Sequence, residues 1–62
     1  MSGNNFLNYM TQAKGIFTSY FNIPATSIKI ESEDNNSIIF IVEGIDSENK
    51  LKKARVRVKK GD

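Results

Sequence analysis

The chain reads as an α+β domain: one N-terminal amphipathic helix packed on a three-stranded antiparallel β-meander, in the order α-β-β-β. Three observations predict this. Apolar residues recur at spacings of three and four from Phe6 to Phe21, and three later segments rich in Ile and Val are separated by turn residues. The connections between those segments are also short, which favours neighbouring antiparallel strands. At 62 residues the chain makes a single domain, with residues 1–4 and 60–62 expected to fray.

The helix is expected to start at Asn4 or Asn5, either of which can cap it, after the polar stretch containing Gly3. Phe6, Met10, Ala13, Phe17, Tyr20 and Phe21 fall within one stripe, with Asn8, Thr11, Gln12 and Ser19 outside it. Tyr9 and Tyr20 sit nearer the margin, where a ring packs while its hydroxyl reaches water. Gly15 costs about 1 kcal/mol against Ala in a helix, and a close approach to the sheet is expected there. Pro24 disfavours helical geometry at Ile23, so the helix should end near Phe21 or Asn22.

The first strand, 27–31, alternates Ile28 and Ile30 with Lys29 and Glu31. Asp34, Asn35 and Asn36 supply turn chemistry for a hairpin into the second strand, 37–43, which Gly44 is expected to end. After a polar loop at 46–50, the third strand, 51–59, alternates Ala54, Val56 and Val58 with Arg55, Arg57 and Lys59. Leu51 is out of phase with Ala54, which suggests a bulge near Lys52 and Lys53.

The second strand is apolar on both faces: Ile38, Phe40 and Val42 point one way, Ile39 and Ile41 the other. One helix covers one face, so a second copy of the chain or another macromolecule is expected on the other. Alternation alone leaves open which set meets the helix. A chain this short buries only about 60% of its unfolded surface, and without Cys or His it has neither disulfide nor zinc staple. Oligomerisation is the remaining common device, which makes a homodimer an expected state.

The net charge of +2 conceals segregation: the acids concentrate in 28–49, while 50–62 hold seven basic residues against Asp62. Lys52, Lys53, Arg55, Arg57, Lys59 and Lys60 are therefore candidate nucleic-acid contacts. Charged side chains also guard a sheet edge against aggregation, and that plainer reading is preferred. The acidic turns lack the spacing of a calcium loop, no Ser lies in a nucleophile elbow, and the isolated glycines form no phosphate loop. No enzyme activity, cofactor, metal or small-molecule substrate is expected.

With no apolar run near the roughly 18 residues of a membrane span and no signal-peptide pattern, a cytoplasmic protein without membrane contact is expected. The opening Met1 and the lack of a tag are read as a complete small gene product. The functional expectation is a regulator or inhibitor that self-associates or docks on a partner protein through the sheet face opposite the helix. Ile39 and Ile41 would be its anchors, with Arg55 and Arg57 as a charged rim if the same face presents them. A nucleic-acid-binding module using the basic strand is the alternative.

Overall fold

A computed structural model describes residues 2–61, with side chains from Phe6 onward. It has one helix, α1 (Ser2–Phe21), followed by β1 (Ser27–Glu33), β2 (Ser37–Ile45) and β3 (Leu51–Lys59) in an open antiparallel sheet of order β1-β2-β3. The α-β-β-β meander predicted from sequence is the fold observed.

α1 includes Asn4 and Asn5, so the expected cap residues lie within its first turn. It ends where Asn22 takes a left-handed conformation (φ 63°) and donates its N–H to the Thr18 carbonyl at 2.7 Å. Asn tolerates that conformation better than most residues and closes the last turn. Phe6 stacks near Phe40 with ring centres 6.3 Å apart, and Phe17 presses on Gly44. The helix therefore runs along β2 in the same direction as that strand.

Ala13, Phe17, Ile38, Phe40, Val42, Val56 and Val58 form the buried core. The question that alternation left open is thus answered: Ile38, Phe40 and Val42 meet the helix. Gly44 does not end β2 but lies buried inside it. A Cβ there would stand 2.6 Å from the Pro24 carbonyl oxygen and 2.9 Å from Phe17 Cε1, so only glycine lets the helix and its following segment close on the strand. Gly15, in contrast, lies on the exposed side of α1 with nothing near its missing side chain. Tyr20 leaves the expected stripe and is 81% exposed.

The bulge expected in β3 is absent. β2 and β3 pair without interruption from Ser37↔Lys59 to Ile45↔Leu51. The register slips instead in β1, between Ile30 and Ser32, so Ser32 pairs with Ile39 and Glu33 with Ile38. Each hairpin turn opens with an aspartate whose Oδ1 accepts two backbone N–H groups. Asp34 takes those of Asn36 and Ser37, both at 2.8 Å, and Asp46 those of Glu48 and Lys50, both at 2.9 Å. Lys60, expected to fray, is tied down by its N–H to the Asn36 carbonyl at 2.8 Å and by Nζ to Glu33 at 2.7 Å. Of the termini expected to fray, Met1 and Asp62 lie outside the described residues.

Candidate interaction surface

Strand alternation carries every second residue of β2 to the face that α1 does not cover. Ile39, Ile41, Glu43 and Ile45 lie along its centre line. Pairing sets Lys29 and Arg55 on either side of Ile41, Ser32 and Arg57 beside Ile39, Ser27 and Lys53 beside Glu43, and Leu51 beside Ile45. The proposed anchors Ile39 and Ile41 and the proposed rim Arg55 and Arg57 therefore share one face.

Ile39 and Ile41 are half-buried although no helix covers them. Glu31 of β1 and Arg55 of β3 reach each other across β2, Oε1 to Nε at 2.8 Å, and their stems flank the isoleucines. Long charged side chains shield apolar surface in this way while their heads stay in water.

The six candidate nucleic-acid contacts divide in two. Lys53, Arg55, Arg57 and Lys59 fall on the open face, spaced along β3 at about 6.8 Å per two residues. Lys52 pairs with the buried Gly44 on the helix side and its Nζ lies 3.9 Å from Asp46, while Lys60 is engaged with Glu33. With Lys29 added, the open face carries five cations against the carboxylates of Glu31 and Glu43. Among the described residues, Lys29, Lys53, Arg57 and Lys59 have no carboxylate within ion-pair distance.

The N–H of Asn36, then that of Ser37, holds the Asp34 carboxyl below the usual carboxylate range. It belongs to the β1–β2 turn, away from the centre of the open face. No group of three or more His, Cys, Asp or Glu side chains could hold a metal among the described residues. An open groove of about 240 Å³ runs between α1 and β3, lined by Ile16, Phe17, Tyr20, Ala54, Arg55 and Val56. A wider notch above Gly15 on the outer side of α1 is shallow.

Sequence reasoning missed Ile45 and Leu51, which extend the apolar line of the open face. The signal is present, because Leu51 shares the odd parity of Arg55 and Arg57, but its mismatch with Ala54 equally suits a bulge. It also missed the α1–β3 groove, whose lining depends on where the helix settles. No family model matches the chain, and neither the curated proteins nor the solved structures contain a match to it. No helix among the described residues is long and apolar enough to cross a membrane.

Proposed function

We propose that this chain is a non-enzymatic interaction module acting in the cytoplasm, a regulator or inhibitor that covers an acidic surface of a partner protein with its open sheet face. The observation that supports this reading is an apolar pair, Ile39 and Ile41, set among cations that outnumber the carboxylates five to two. Apolar anchors inside a charged rim are the usual distribution of interface energy. The charge also speaks to the choice of partner. A second copy brought face to face would oppose cations to cations, whereas an acidic surface would meet them favourably and be steered toward them.

Magnitude limits the affinity. Three strands about 4.8 Å apart and nine residues at about 3.4 Å give a plate of roughly 400 Å² in plan, below the roughly 800 Å² per partner of a standard interface. The module is therefore a weak or transient binder unless the partner also reaches the sheet edges.

A nucleic-acid reading is favoured by one observation, the row Lys53, Arg55, Arg57 and Lys59 on a single face. Against it, Phe40 faces the helix and the other aromatics belong to α1, so the open face offers no ring on which a base could stack.

Both readings are tested by immobilising the wild-type chain, Arg57→Glu and the double variant Ile39→Asp/Ile41→Asp, after circular dichroism has established which are folded. Protein captured from a source-cell extract should fall at least tenfold for the folded variants and elute with moderate salt; undiminished capture by Arg57→Glu overturns the proposal. Gel shifts with DNA and RNA at low salt, abolished as salt rises, would transfer the face to nucleic acid.

A further inference from the structure

α1 is not centred on its sheet. Three strands make a layer about 14 Å across, and a helix with its side chains covers about 10–12 Å of it. α1 lies over β3 and β2 and scarcely touches β1. On the β3 side it overhangs the edge, with Ile16 51% and Tyr20 81% exposed above the groove they share with Ala54 and Val56. On the β1 side the same face is left bare: Ile28 is half-buried and Ile30 is 44% exposed. β1 and β3 are both edge strands.

We infer that a second copy of this chain docks along this edge, with β1 of one copy adding to β3 of the next as a parallel neighbour and both helices on the same side of a continuous sheet. The register makes the two edges fit. Ile28, Val42 and Ala54 stand at one level of the sheet, and Ile30, Phe40 and Val56 at the next. Ile28 and Ile30 of the incoming copy thus arrive level with Ala54 and Val56, beneath the overhanging Ile16 and Tyr20. β1 is regular over 27–30, the stretch this contact uses, and its bulge follows that stretch.

Charge separates this pairing from the symmetric ones. The incoming strand brings the carboxylate of Glu31 next to Arg57, while its Lys29 comes level with Arg55 as the one like-charged neighbour. The symmetric alternatives fit less well. A β3-to-β3 dimer opposes Lys53, Arg55, Arg57 and Lys59 to their own copies, and a β1-to-β1 dimer leaves both overhangs in water. Because the two contacting patches differ, the contact is head-to-tail and repeats from copy to copy unless it closes a ring. It uses the edges and leaves the open face free for the partner proposed above.

Sedimentation across a concentration range tests the inference, with two variants that change exposed side chains only: Ile30→Lys, which blocks the β1 edge, and Ile16→Lys/Tyr20→Lys, which blocks the overhang. The wild-type mass should rise with concentration past that of a dimer. Each variant alone should remain monomeric, and an equimolar mixture should stop at a heterodimer, since each supplies the patch the other lacks. A wild-type chain that stays monomeric, or that stops at a dimer, overturns the inference, as does a mixture of folded variants that fails to associate. If circular dichroism shows a variant unfolded, the wild-type series decides alone. Ile39→Asp/Ile41→Asp, which changes the open face on the central strand only, should self-associate as the wild type does once shown to be folded, so the two proposals fail separately.

Discussion

Along β2, neighbouring isoleucines meet opposite fates. Ile38 is sealed between α1 and the sheet, while Ile39, one peptide away, is half-buried beneath nothing more than the side chains of the edge strands. The covered face is closed by packing against a helix. The open face is shielded by an exposed ion pair and flexible cationic stems, which move aside at little cost. The same residue type therefore serves as core on one side of the sheet and as a ready contact on the other.

The sharpest way to break this comparison is to truncate each face in turn. Phe40→Ala, in the core, should cost about 3–5 kcal/mol, enough to unfold much of a domain this small, whereas Ile41→Thr should cost about 1 kcal/mol. Urea denaturation followed by circular dichroism measures both, and equal losses would mean that the open face is structural. Next in size, Gly44→Ala should destabilise by about 1–3 kcal/mol, because its Cβ would meet the Pro24 carbonyl oxygen and the Phe17 ring. A neutral result would show that the helix shifts freely over the sheet.

Glu31→Gln sharpens the comparison without disturbing the core. Its ion pair with Arg55 is exposed, so stability should change by less than about 1 kcal/mol. The open face meanwhile gains net positive charge, and capture of an acidic partner should strengthen. Binding weakened by this change would mean that the ion pair orders the anchors. The smallest effect is on pH. Asp34 titrates below its ordinary value of 3.8 because two backbone N–H groups stabilise its charged form. Its contribution is present above that value and is lost as pH falls through the lower folded-state value. The Asn36 and Ser37 amide resonances should move only in strong acid, with β2 and β3 little affected, and movement near neutral pH would refute the assignment.

How much of this was legible depended on whether a signal was local. In β3 the alternation of Ala54, Val56 and Val58 with Arg55, Arg57 and Lys59 maps directly onto two faces, and both are observed as expected. β2 carries apolar residues on both sides, so its own pattern could not say which side the helix takes. That choice shows in Gly44, whose buried position makes sense only once Phe17 and the Pro24 segment press against it. A glycine in a strand read as a terminator because its reason is tertiary. Tyr20 likewise has the spacing of a core residue, but the offset of α1 toward β3 turns it outward. The candidate site was half legible: parity groups Ile39 with Ile41, and Arg55 and Arg57 with Lys59 apart from Lys60, while bringing the two sets onto one face required the register of β2 with β3.

The bulge in β1 also sorts charge. Were the residues of β1 to alternate strictly with no slip, Glu33 would fall on the same side as Lys29 and Glu31, and a third carboxylate would dilute the cationic field. The slip between Ile30 and Ser32 turns Glu33 over to the helix side, where Lys60 neutralises it. The slip thus raises the electrostatic contrast between the two sides of the sheet without adding any charge to the chain, and the same residues paired in strict register would lose that polarity.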